Sequence, residues 1–190
     1  MGRASKLPIS VTPEACIGGA MLVILIPLPW LLAWFLAAAV HELFHCLALI
    51  LCGSRIYRIE IGLDGAQIVT GSLSDMHNML CTLAGPFGGL FLLFSASIFP
   101  KLALCALLQS LFNLLPIYPL DGGRAFLSLG RTLLTETAAY QLAVTVKTIA
   151  LLGLLVFGIL AAFAWNLGCV PLVMALLLLM KVKKVKIPCK

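Results

Sequence analysis

The chain has 190 residues, of which 62% are hydrophobic and 11% charged, and its 13 Lys and Arg residues against seven Asp and Glu give a net charge of +6. Soluble globular domains are about half apolar and a quarter charged, so this composition excludes that class and indicates an integral membrane protein. The basic excess does not require a nucleic acid as partner, because a basic tail beside a membrane span is expected to contact anionic lipid headgroups.

Apolar stretches of about 20 residues predict an all-α polytopic membrane protein with about six transmembrane helices. The predicted spans cover residues 15–30, 31–51, 77–98, 101–120, 139–163 and 165–180. A tight turn is expected between the first two, centred on Pro27-Leu28-Pro29-Trp30.

The second predicted span contains His41, Glu42 and His45, three ionisable side chains in a segment otherwise suited to lipid. Such groups are costly inside a membrane unless they are paired, so they indicate a functional site. Residues four apart share one face of a helix, which would let His41 and His45 place two imidazole nitrogens on one zinc ion with Glu42 beside it. The alternative is a coincidental polar patch facing the interior of the bundle.

The loop between the second and third spans covers about residues 52–76. Polar and apolar residues alternate from Arg55 to Ile61, and a second such stretch, Ala66 to Val69, follows the segment Gly62-Leu63-Asp64-Gly65. This pattern predicts a short membrane-associated β-hairpin with a Gly-containing turn. An edge strand of the hairpin could pair with an extended substrate. A hairpin that only packs against the bundle explains the pattern equally well.

The fourth predicted span ends in a Pro-broken segment, Asn113-Leu114-Leu115-Pro116-Ile117-Tyr118-Pro119-Leu120-Asp121-Gly122-Gly123-Arg124. A catalytic zinc takes three protein ligands and keeps its fourth position for water, so the histidine pair requires one more ligand. Asp121 is the best candidate for it. Taken alone, Asp121 could instead cap a turn and pair with Arg124, and Asn113 could bridge helices by hydrogen bonds.

Basic residues are distributed unequally along the chain. If both termini are cytoplasmic, the basic residues of the two termini and of the loops at Arg55 and Arg124 lie on the inner side of the membrane. Only Lys101 then lies on the outer side. This is the asymmetry of the positive-inside rule. We therefore expect a multi-pass cell-membrane protein with a basic cytoplasmic tail at 181–190.

Together, His41-Glu42-Leu43-Phe44-His45 and the later Pro119-Leu120-Asp121-Gly122-Gly123 resemble motifs of the site-2 protease family of intramembrane zinc metalloproteases. The similarity covers at least residues 30–130, and the short 52–76 loop makes the stage IV sporulation protein FB type the most similar subgroup. The resemblance implies that His41, His45 and Asp121 bind one Zn²⁺ per chain, that Glu42 is the general base, and that Asn113 positions the substrate or an oxyanion.

The resemblance also implies a single protease domain over residues 1–190, with a catalytic core at about 30–130 and accessory spans at about 15–30 and 139–180. One family motif is incomplete. The family often carries Gly-Pro-x-x-Asn on the intervening span, where this chain reads Gly85-Pro86-Phe87-Gly88-Gly89. A helix break and close packing are still expected there, but the polar side chain is missing.

The activity that the resemblance implies is hydrolysis of a peptide bond in or next to a transmembrane segment of a membrane-tethered protein, with release of a cytoplasmic factor. Inhibitory or regulatory membrane partners are compatible with it. Two other classes are a membrane metal-ion transporter, since intramembrane His and carboxylates also mark ion paths, and a non-catalytic membrane scaffold. The missing internal repeat argues against the transporter, and the intact motif argues against the scaffold.

Overall fold

The computed structural model describes residues 9–62, 65–163, 175, 176, 178, 179 and 182. The chain divides into two compact units, Met1–Phe112 and Asn113–Lys190. The described part of the first unit contains a small sheet and the helices α1 (Pro13–Leu25), α2 (Leu28–Leu51), α3 (Asp75–Phe91) and α4 (Pro100–Asn113), the last of which ends at the boundary. The described part of the second unit contains α5 (Asp121–Leu133) and α6 (Glu136–Phe163).

Within the part of the chain that the structure describes, three helical segments are long and apolar enough to cross a membrane. They are Leu28–Leu51, Asp75–Ser95 (α3 with the 3₁₀ turn that follows it) and Glu136–Ala162. They correspond to the spans predicted at 31–51, 77–98 and 139–163, with ends shifted by a few residues. Large apolar side chains such as Leu43 and Leu47 are exposed along α2, as expected for a helix surrounded by lipid.

The spans predicted at 15–30 and 101–120 are too long. The corresponding helices, α1 and α4, have 13 and 14 residues, about 20 Å each at 1.5 Å per residue, which is less than the roughly 30 Å hydrocarbon core. Prolines explain the difference, because the residue before a proline is disfavoured in a helix and Pro27 and Pro116 follow the two helix ends. The sixth predicted span, 165–180, lies mostly outside the described residues.

The predicted turn at residues 27–30 is displaced. The break falls at Ile26 and Pro27, and α2 already begins at Leu28. Pro29 is accommodated in the first helical turn, where the missing N–H has no partner to lose.

The predicted hairpin is confirmed. Strands β2 (Ile56–Gly62) and β3 (Gly65–Thr70) are antiparallel, with Ile59 opposite Ile68. A further strand, β1 (Ile9–Val11), pairs in parallel with β2, giving the order β1-β2-β3. The sequence did not predict β1, because three residues are too short to show a period of two. Since β2 is central, the edges of this described sheet are β1 and β3.

Small residues let α3 pack closely between α2 and α4. A Cβ atom added at Gly88 would overlap the ring of Phe44 on α2, and one added at Gly89 would overlap the Ser110 hydroxyl on α4. Close approach through small residues is the usual way in which helices associate in membranes. A buried cluster joins α2 to α4 beside this contact and contains Ala33, Ala37, Leu102 and Ala106.

In the second unit, α5 packs on α6 through one apolar face. Leu127 and Ala143 form a buried pair, and Gly130 gives Ala139 room to approach. At the turn between the helices Arg131 and Glu136 form an ion pair at 2.8 Å. The sequence predicts no span over α5, because this helix has only 13 residues and is amphipathic.

Candidate metal centre

His41 and His45 lie one turn apart on α2, and their Nε2 atoms are 3.2 Å apart. Two nitrogens bound to one tetrahedral zinc ion at about 2.0–2.1 Å lie about 3.3 Å from each other. The pair therefore has the spacing of two zinc ligands without any change in the helix. The same distance also permits an N–H···N hydrogen bond between the rings in the metal-free chain.

A backbone carbonyl on α3 orients the second histidine. The His45 Nδ1 atom lies 2.8 Å from the carbonyl oxygen of Cys81. A carbonyl only accepts hydrogen bonds, so Nδ1–H donates and the lone pair of Nε2 faces His41. Metal-binding histidines nearly always donate their other ring N–H in this way. The donor set and this contact both fit a zinc ion.

His41 is 3% exposed, whereas His45 and Glu42 are half-buried. Glu42 follows His41 on α2, and neighbouring residues of a helix point about 100° apart. On an ideal helix the side chain of Glu42 therefore leaves the axis beside those of the two histidines rather than between them.

Asp121 and Asn113 belong to the second unit and stand at two helix ends. Asn113 is the last residue of α4 and Asp121 the first residue of α5, and both are half-buried. A negative carboxylate is favourable at this position, because the first turn of a helix carries partial positive charge. The structure thus offers Asp121 as an anionic ligand group.

The segment between these two residues folds back on itself, and two glycines make this possible. A Cβ atom at Gly122 would overlap the carbonyl group of Leu114, and one at Gly123 would overlap the backbone of Ile117 and Tyr118. The Tyr118–Pro119 peptide bond is cis. Backbone packed this tightly holds the start of α5, and with it Asp121, in one position relative to its own unit.

Two features of the first unit could not be read from residue types. The carbonyl of Cys81 carries no signal in the sequence, because every residue has one. Gly85, one turn further along α3, lies directly against the His45 ring. The Gly85-Pro86 pair was the available signal, and it indicated close packing without identifying the neighbour. The helix break expected at this pair is wrong: α3 continues through Pro86 to Phe91, since prolines are tolerated inside membrane helices.

No family model and no curated protein matches the sequence. The fold does match solved structures, among them the Site-2 Protease from Methanocaldococcus jannaschii. That similarity has a TM-score of 0.65 and covers 99% of this chain and 96% of the other, at 18% sequence identity. The chain therefore shares the fold of that site-2 protease.

Proposed function

We propose that the chain is an intramembrane zinc metalloprotease that hydrolyses a peptide bond in or next to a transmembrane segment of a membrane-tethered protein. The histidine pair carries this proposal: its two Nε2 atoms are 3.2 Å apart, on a helix apolar enough to cross a membrane. Ionisable groups at such a position are costly unless they are paired or bind an ion, and they commonly mark a functional site. The shared fold with a site-2 protease supports the same activity.

In this proposal His41, His45 and Asp121 hold one zinc ion. Imidazole nitrogens and a carboxylate oxygen are ligands that zinc accepts, and three of them leave a fourth position for water. A zinc ion held there would lower the pKa of a bound water toward about 7 and would polarise a substrate carbonyl group.

Glu42 is the proposed general base. Its carboxylate accepts a proton from the attacking water and donates that proton to the leaving amine. A side chain next to the two ligands on the same helix is suited to this, because proton transfer needs hydrogen-bond distance. Asn113 is proposed to hold the substrate, since its amide group can donate a hydrogen bond to a substrate carbonyl.

A substrate helix must unwind before cleavage, because its peptide bonds are shielded by their own hydrogen bonds. We propose that the outer edge of β3 pairs with the unwound segment. The edge of β2 is not available for this, since β1 occupies it. Val69 is 41% exposed on β3, so a photo-crosslinker at position 69 should capture the substrate; no crosslink from there would remove this role of β3.

The proposed topology, cleavage product, regulation and subgroup rest on the sequence. We propose that both termini are cytoplasmic, that cleavage releases a cytoplasmic product, and that a membrane partner regulates the enzyme. The similarity to the stage IV sporulation protein FB type is likewise a proposal. It is supported by the short connection between α2 and α3, whose described residues form only the β2–β3 hairpin.

The test is cleavage by the purified chain in lipid vesicles, with a membrane-tethered candidate substrate and product analysis by mass spectrometry. Glu42→Gln should reduce the rate at least about 100-fold, the usual contribution of a general base, and leave bound zinc unchanged. Glu136→Gln, which alters a carboxylate at the start of α6, should cleave normally. Cleavage by Glu42→Gln at the normal rate contradicts the assignment, and zinc flux without any cleavage would favour a transporter.

A further inference from the structure

We propose that Gly85 is a positioning residue for the zinc centre: the space left by its missing side chain holds the His45 imidazole, while the carbonyl of Cys81 fixes the rotation of that ring. This inference rests on the proposed function, because it concerns one of the same zinc ligands. Neither Gly85 nor Cys81 is itself a proposed metal ligand.

The space at Gly85 is occupied by the His45 ring itself. A Cβ atom added to Gly85 would overlap the ring at Nε2, Cε1 and Cδ2, all three within 2.8 Å. Carbon atoms in van der Waals contact lie at about 3.5–4.0 Å, so the ring would have to move by about an ångström. Nε2 is the atom that faces His41, so this movement displaces the proposed ligand atom.

The carbonyl of Cys81 prevents the ring from moving freely. It accepts the hydrogen bond from His45 Nδ1 at 2.8 Å. Cys81 and Gly85 are four residues apart on α3 and thus share one face of the helix. One face therefore provides both an acceptor for Nδ1 and the space for Nε2.

Histidine needs such external constraints. The χ2 torsion of an imidazole is broad and has no sharp staggered minima, so the side chain alone does not define where Nε2 points. The hydrogen bond selects the tautomer and the ring plane, and the contact with Gly85 sets how closely the ring approaches α3. Together they direct the lone pair of Nε2 toward the point shared with His41.

Gly88 provides a matched control. It lies on the same helix and is buried, and a Cβ atom there would overlap Phe44, the residue just before His45 on α2. Gly85→Ala and Gly88→Ala therefore both press on neighbouring side chains of α2, but only the first presses on a proposed ligand. A purely structural role of Gly85 predicts equal effects of the two substitutions on metal binding.

The experiment measures metal binding by the full chain in detergent or lipid, without using proteolysis. Zinc affinity is obtained by competition with a chromophoric chelator, ligand geometry from the visible spectrum of the cobalt(II) form, and folding from thermal unfolding. Gly85→Ala should weaken zinc binding about 10–100-fold, as loss of an orienting contact does, and should alter the cobalt spectrum. Gly88→Ala should keep the affinity and spectrum of the unsubstituted chain, even at a similar loss of Tm.

Unchanged affinity and spectrum in Gly85→Ala would overturn the inference, as would an equal loss in Gly88→Ala. If Gly85→Ala does not fold, nitrogen NMR of histidine-labelled unsubstituted chain decides: His45 must carry its proton on Nδ1, and a proton on Nε2 overturns the inference. Zinc binding without cleavage would refute the proposed protease and leave the role of Gly85 standing.

Discussion

Ionisable side chains on α2 are tolerated because protein surrounds them. His41 is almost fully buried, and His45 donates a hydrogen bond to α3. A polar group inside a membrane must face the bundle or a wet cavity, and these two do. The remaining cost is offset if a metal ion binds between their Nε2 atoms, which explains why both histidines sit on the same helix face.

Asp121 is the proposed third zinc ligand. If it is the third ligand, Asp121→Asn should weaken zinc binding at least about 100-fold, since a neutral amide is a poor zinc ligand and loss of even an outer contact costs 10–100-fold. Asp75→Asn is the control, because Asp75 also stands in the first turn of a helix. Zinc measured by elemental analysis after dialysis distinguishes the two variants. Full zinc content in Asp121→Asn would remove Asp121 from the ligand set.

The sequence revealed the proposed ligand side chains but not the groups that orient them. The spacing of His41, Glu42 and His45 is visible because a helix brings residues four apart together. The acceptor for His45 is a main-chain oxygen of Cys81, and the room for its ring is an absent side chain at Gly85. Neither has a residue-type pattern, so only the structure shows them.

Elements were predicted well where a long apolar run or a polar–apolar alternation defines them, and poorly where neither does. The spans α2, α3 and α6 follow from their apolar composition. By contrast, α1 and α4 end at prolines, which a hydropathy window counts only weakly, and α5 is amphipathic. The hairpin followed from its alternating residues, whereas β1 is held by its pairing with β2, a contact distant in sequence.

The turn before α5 depends on its glycines. Gly122→Ala and Gly123→Ala should each destabilise the folded chain by about 1–3 kcal/mol or more, because the added Cβ meets backbone atoms, which cannot rotate away. Gly153→Ala on α6 is the control, since nothing lies within 4 Å of its Cβ position. Alanine there should be neutral or stabilise by up to about 1 kcal/mol.

Denaturant or thermal unfolding in one detergent compares these three variants. The stated role of the turn would be wrong if Gly122→Ala and Gly123→Ala were as stable as Gly153→Ala. Their zinc content is a second measurement, and it should fall if the turn holds Asp121 in place for the metal.

At the scale of the whole molecule, the fold similarity to a site-2 protease coexists with only 18% identity. This is understandable, because lipid-facing positions accept any large apolar residue, and many such residues are exposed here. Membrane class could therefore be predicted from this sequence, while helix ends and packing could not.

The orientation in the membrane gives a separate prediction. Lys101 stacks over Trp30, 5.7 Å from its ring centre, and Trp and Lys are typical of the membrane interface. With cytoplasmic termini, Lys101→Cys in intact cells should react with a membrane-impermeant maleimide, while Arg58→Cys should react only after permeabilisation. The unsubstituted chain, with its native cysteines, is the background control. The opposite labelling pattern would invert the proposed topology.

X-ray absorption at the zinc edge identifies the atoms bound to the metal, and so shows whether two histidines of α2 and a carboxylate hold one zinc ion. We expect a four-coordinate ion with two imidazole ligands and oxygen, all at about 2.0–2.2 Å, and the same spectrum for Glu42→Gln. The described thiols include Cys46, next to His45, and the neighbouring pair Cys52 and Cys81. Zinc–sulfur scattering at about 2.3 Å, or fewer than two imidazoles, would rule out this ligand set.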